Sequence, residues 1–199
     1  MKNKIINSLL ALGALFLLLT GCQNFKKTQL VLFESLSFGM PEKSFQEVFG
    51  EASEVVEETE MAYRDAWRAE DPYFYKTGRL FYDYENITLN GYTGRARFTF
   101  SKSHRLEKAT VHIPVTSKVE QQVVLNNLSQ TIKKEIKALP NFQSVTTETV
   151  GLYDDGYRYK VKLKGQRREF WIDVYPTEAE SVESQADKYT IRVDQFRMH

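Results

Sequence analysis

The sequence holds a single cysteine, Cys22, in 199 residues. One thiol closes no intramolecular disulfide, so the fold must rest on packing rather than on cross-links. Proline and glycine are sparse, at 5 and 10 residues, which excludes collagen-like and Pro/Gly-rich low-complexity chains. Charge of one sign is not in excess: 27 basic residues face 26 acidic ones, a balance that argues against a dedicated nucleic-acid binder. Apolar runs are short. The longest, Ile5 to Leu19, is interrupted by Asn7, Ser8 and Gly13 and covers about 15 residues where a spanning helix takes roughly 20. Histidine is scarce, and His104, His112 and His199 lack the spacing of a zinc site, so no metal is expected. Nor is there a Gly-x-Ser-x-Gly elbow, a Ser-x-x-Lys pair or a phosphate-cradling glycine loop. The common signatures of nucleophilic catalysis and cofactor binding are therefore missing, and no cofactor is expected.

What the chain does have begins at its first residues. Lys2 and Lys4 precede the apolar run, and small residues follow it, which is the three-part layout of an export signal peptide. Leu19-Thr20-Gly21-Cys22 resembles the lipobox of bacterial lipoprotein precursors. The resemblance implies a signal peptide over 1–21, cleavage before Cys22, and diacylglycerol with palmitate-type chains on its thiol. Each buried acyl CH₂ contributes about 0.8 kcal/mol, and two or more chains anchor stably. On this reading Cys22 is the lipid attachment site and the membrane its first partner. Gln23 follows the site in place of the aspartate that resembles a retention signal, which suits an outer membrane facing the periplasm in a host with two membranes. Without Lys2 and Lys4, 25 basic residues remain against 26 acidic.

From Gln23 to about Gln29 the chain is polar and reads as a tether, with 22–37 taken as attachment site and linker. Leu30 to Phe38 is apolar enough to pack but ambiguous in type. Pro41, Glu42, Phe45, Val48, Phe49 and Gly50 spell a short helix with a glycine stop. The acidic stretch Glu51 to Glu60 and the aromatic one after it are expected to be extended. Leu80 to Tyr84, Arg95 to Phe100 and Leu106 to Ile113 read as strands, separated by Asn90-Gly91, Gly94 and Ser101 to Arg105 as turns. Ser117 and Glu120 predict a capping box, and Val124, Leu128, Ile132, Ile136 and Leu139 the apolar stripe of a long helix ended by Pro140. Four further strands are expected at 144–153, 157–164, 169–175 and 188–196. In the second, Tyr157, Tyr159, Val161 and Leu163 alternate strictly with Arg158, Lys160, Lys162 and Lys164.

The order is a helix followed by strands, twice. It predicts an α+β class with two tandem units, 38–114 and 115–199, each a helix packed on antiparallel sheet. Gly39-Met40-Pro41, Phe45 and Phe49-Gly50, with Phe98-Thr99-Phe100-Ser101 and Leu106 further on, resemble the corresponding motifs of SmpA/BamE-type small outer-membrane lipoproteins. Ala52 stands where that family usually has proline. The tandem order is similar in outline to β-lactamase inhibitor proteins, and fold analogy carries no function with it.

Three constellations could carry a function. Tyr63, Trp67, Tyr73 and Tyr75, in an aromatic group that also holds Phe74, Phe81, Tyr82 and Tyr84, form a candidate interaction surface, because amphipathic aromatics serve interfaces as well as cores. Arg158, Lys160, Lys162 and Lys164, extended by Arg167 and Arg168, form a candidate anion contact, against which Glu169 and Asp173 on the next strand offer cross-strand neutralisation. Glu54, Glu57, Glu58, Glu60, Asp65, Glu70 and Asp71 lack the spacing and glycine of a calcium loop and read as a solvated acidic face. The expectation is a lipid-anchored cell-envelope protein acting as a non-enzymatic interaction module on another envelope protein, with no nucleic acid. The alternative is a ligand-binding or enzymatic module for a cell-wall fragment or lipid.

Overall fold

The computed structural model describes residues 28–65, 68–150, 155–178 and 189–197, with the side chains of 60–75 left aside. Among the described residues two helices, α1 (Glu42–Phe49) and α2 (Lys118–Ala138), accompany eight strands. These are β1 (Glu54–Asp65), β2 (Arg68–Leu89), β3 (Tyr92–Phe100), β4 (Leu106–Val115), β5 (Phe142–Val150), β6 (Gly156–Leu163), β7 (Phe170–Glu178) and β8 (Tyr189–Arg197). The strands form a single antiparallel sheet in the order β1-β2-β3-β4-β8-β7-β6-β5. Each half of the sheet follows one helix in the chain. The halves are joined where β8 pairs with β4, with Val111 opposite Val193 and Ile113 opposite Ile191.

Alternation along the strands explains the layering. Ala96, Phe98, Ala109, Val111, Ile113, Ile191, Val193, Ile172, Val174, Tyr159 and Val161 are all buried, and the pairing register places them on one face. The apolar stripe of α2, Val124, Leu128, Ile132 and Ile136, is buried with them. Phe45 of α1 is fully buried among Phe98, Phe100, Tyr82 and Tyr84. One apolar cluster runs through both halves.

The local signals act as their chemistry requires. Ser117 caps α2 by accepting from the Glu120 amide at 3.2 Å. Glu120 reaches back one residue further than a capping box requires, accepting from the Thr116 amide at 2.7 Å. Gly50 stops α1 at φ 88°. Asn90 and Gly91 both take positive φ in the β2–β3 turn, the two-residue hairpin geometry that matches strand twist.

Three segments differ from the sequence expectations. Gly94 is not a turn residue: it lies within β3, where any Cβ would collide with the His112 carbonyl of β4. The strand expected to end at Tyr84 continues to Leu89 past an irregularity at Asn86, whose φ is 56°. The segment expected to serve as linker up to residue 37 is packed from Thr28 onward, where Thr28, Leu30, Val31, Leu32, Leu36 and Ser37 are buried, and its part before Thr28 lies outside the described residues. Their backbone is held by Leu30 N–H to Leu36 O at 2.9 Å and Phe38 N–H to Thr28 O at 2.9 Å. Leu32 N–H donates to the Oε1 of Gln195, a fully buried side chain of β8.

Candidate functional site

The first feature is a projecting hairpin. β3 pairs with β2 only from Leu80 onward, whereas β1 and β2 remain paired from Thr59 opposite Lys76 out to Asp65 opposite Arg68. Residues 59–65 and 68–79 thus extend past the end of β3 as a two-stranded ribbon. Along it Glu60 lies opposite Tyr75, Ala62 opposite Tyr73 and Tyr63 opposite Pro72. The sequence therefore brings Tyr63, Tyr73 and Tyr75 into one arm, and Trp67 lies outside the described residues. At the arm's base Glu57 pairs with Lys76 at 2.6 Å, and Glu58 accepts from Thr77 at 2.8 Å and sits 3.6 Å from Arg79. Part of the acidic stretch is thereby matched by cations of β2.

The second feature is the sheet face opposite the helices. In register across it lie Asp83, Arg97, Thr110, Asp194, Asp173, Arg158 and Glu148. Arg97 makes a bidentate pair with Asp83, both contacts 2.7 Å. Arg158 does the same with Asp173 at 2.8 and 2.6 Å, and Lys160 meets Glu148 at 2.6 Å. The beginning of the predicted basic stripe is thus neutralised by its neighbours. Lys162 and Lys164 are exposed and form no ion pair among the described residues. The basic stripe and the aromatic arm lie on opposite halves of the sheet, separated by β3, β4, β8 and β7.

Asp194 sits near the centre of this face, only 4% exposed. Burial pushes its carboxyl up, but the Thr110 hydroxyl at 2.6 Å and the Lys108 and Arg192 cations outweigh that and hold it below the ordinary carboxylate range. Burial and the Asp194 carboxylate raise the neighbouring Tyr175 phenol to about 12. Trp171 is half-buried beneath two cations, with Arg158 4.5 Å and Lys160 4.9 Å from its ring. The alternation of Trp171, Asp173 and Tyr175 with Ile172 and Val174 was the signal for this row. It is a stabilising lattice whose charges are already matched.

A third cluster joins α1 to the β3–β4 turn. The Tyr82 hydroxyl donates to Glu42 Oε1, and His104 Nδ1 lies 2.5 Å from Glu42 Oε2. Gln46 Nε2 donates to the Tyr82 oxygen at 3.1 Å. Burial, then Glu42, pushes the Tyr82 phenol well up. Backbone bonds run alongside, Glu42 N–H to His104 O at 3.0 Å and Gly39 N–H to Leu106 O at 2.8 Å. A shallow depression of about 420 Å³ beside it is lined by Lys43, Gln46, Ser103, His104 and Arg105 among others. The carboxylate has both oxygens engaged, and the cluster clamps the helix to the sheet. No sequence motif joins Glu42 to Tyr82 and His104, which come from three elements.

Cys22 lies outside the described residues, and among those described no helix is long and apolar enough to cross a membrane. The chain matches no protein-family model, no curated protein and no solved structure.

Proposed function

We propose that this chain is a bacterial cell-envelope lipoprotein, cleaved before Cys22 and acylated there, which acts as a non-enzymatic interaction module for another envelope protein. The observation that carries the reading is the hairpin arm. A two-stranded ribbon is marginal in water by itself, yet this one extends past β3 and carries Tyr63, Tyr73, Phe74 and Tyr75 of an aromatic-rich stretch of the sequence. Aromatic side chains, tyrosine and tryptophan above all, are the residues that protein interfaces concentrate. The remainder of the molecule suits a scaffold: one continuous core, and an outer sheet face whose cations are largely paired.

Crosslinking in intact cells, purification through a carboxyl-terminal tag and mass spectrometry provide the test, with Cys22→Ala as the unanchored control and Tyr73→Ala with Tyr75→Ala as the arm control. A partner trapped by the anchored protein and lost with the arm variant supports the reading. Folded, acylated protein that traps nothing specific, or traps the same set with the arm altered, removes it. A screen of wall fragments and lipids would follow.

A further inference from the structure

Thr28 is the first of the described residues. Its hydroxyl donates to Gln166 Oε1 at 2.6 Å, and its side chain is buried against the turn between β6 and β7. Only residues 23–27 separate it from Cys22. Fully extended, that link reaches about 20 Å. Lipid on Cys22 therefore holds the β6–β7 turn close to the bilayer, whatever the rest of the molecule does.

The charges around that turn differ from those elsewhere on the sheet. Arg97, Arg158, Lys160, Lys108 and Arg192 each have a carboxylate partner. Lys162, Lys164, Arg167 and Arg168 are exposed, Arg197 is half-buried, and none of these five makes an ion pair among the described residues. Burial and then the neighbouring Arg168 cation lower the Arg197 guanidinium from its usual value, so two like charges stand near each other with no ion pair to either among the described residues. Glu169 is the sole acid between Lys164 and Phe170. Lys26 and Lys27 add two further positive charges to the link by sequence.

We propose that this basic end of the sheet docks on the anionic headgroups of the bilayer that holds Cys22, so that lipid and patch together fix which end of the molecule faces the membrane. The inference rests on acylation of Cys22, as the proposed function does. A membrane surface is the occupant because the link places it there at high local concentration and because unpaired cations next to a lipid anchor form the second signal of a two-signal membrane attachment. The patch adds orientation, which a single point of attachment at Cys22 does not supply.

The test uses the lipidated protein, reconstituted in phosphatidylcholine vesicles with or without phosphatidylglycerol, carrying a fluorophore at Ser144→Cys or at Thr149→Cys. Both positions are exposed on β5. Ser144 lies opposite Lys162 at the basic end, and Thr149 opposite Tyr157, about 17 Å along the strand. With phosphatidylglycerol present, a headgroup-attached quencher should quench at 144 much more than at 149, and without it the two should approach each other. Each cation at an anionic surface multiplies the docked population about fivefold, so Lys164→Gln, Arg167→Gln and Arg168→Gln together should lower the docked-to-free ratio about 100-fold. Equal quenching at 144 and 149 on anionic vesicles, or no effect of the triple variant, overturns the orientation. Labelled palmitate reads the anchor separately. Absence of label at Cys22 removes the anchor and the orientation together, whereas label with equal quenching removes the orientation alone.

Discussion

Replacing Phe45 by alanine tests whether the two halves of the sheet are one cooperative unit. Phe45 is fully buried, with ring centroids of Phe98, Phe100 and Phe49 at 4.9, 5.1 and 5.4 Å and those of Tyr82 and Tyr84 at 6.1 and 6.0 Å. It is the one buried residue of an eight-residue helix. Truncating a buried phenylalanine costs about 3–5 kcal/mol, and a helix this short has little stability of its own to offset the loss. With a urea dependence of about 2 kcal/mol per molar for a domain of this size, the midpoint should fall by about 2 M. The informative probe is remote. In a Trp67→Phe background the remaining tryptophan is Trp171, on β7 in the other half of the sheet. Because a single apolar cluster spans both halves, Trp171 fluorescence and far-ultraviolet circular dichroism should shift together in one transition. A Trp171 transition that stays in place while a separate one moves would refute the single-core argument.

Gly94→Ala should destabilise by more than about 2 kcal/mol, since the clash is with backbone rather than with a movable side chain; a midpoint unchanged in urea would show that the β3–β4 spacing is misjudged. His112 has its pKa lowered, first by burial and then by the Arg192 cation. The unfolded chain therefore binds the proton more readily, so the stability this group contributes is complete above about pH 6.5 and is lost as pH falls below it. Urea midpoints measured from pH 7.5 to 5 should show that slope, and His112→Gln should flatten it.

Elements with a strong local period were readable from sequence. The alternation of Tyr157, Tyr159, Val161 and Leu163 with four cations gives β6 its faces, and the stripe from Val124 to Ile136 gives α2 its buried side. The neutralisation of Arg158 by Asp173 was also legible, because a carboxylate on the next strand is the natural partner of an outward-facing arginine. Pairing between distant strands was not. β4 and β8 are both apolar strands, and nothing local in either says that Ile113 meets Ile191. The aromatic stretch reads as extended, as β1 and β2 show, but that β2 runs as one strand from Arg68 to Leu89 was not legible, since Pro72 and the surrounding charges weaken the strand pattern; proline is tolerated where a ribbon leaves the sheet. Thr28 to Phe38 carried apolar residues without a period because its burial depends on a loop lying over Gln195, not on helix or strand geometry.

The position of β8 has a consequence for how the molecule is made. The last strand in chain order is an inner one, seated between β4 and β7. As the chain is synthesised, β1 to β4 can form a meander, and β5 to β7 another, but each keeps a bare apolar edge until β8 arrives to join them. Assembly is therefore late and dominated by contacts distant in sequence, the condition under which folding slows and exposed edges invite wrong pairing. A chain stopped just before Tyr189 would lose far more than nine residues of sheet: it would leave two half-sheets, each with an open edge where the other should have been.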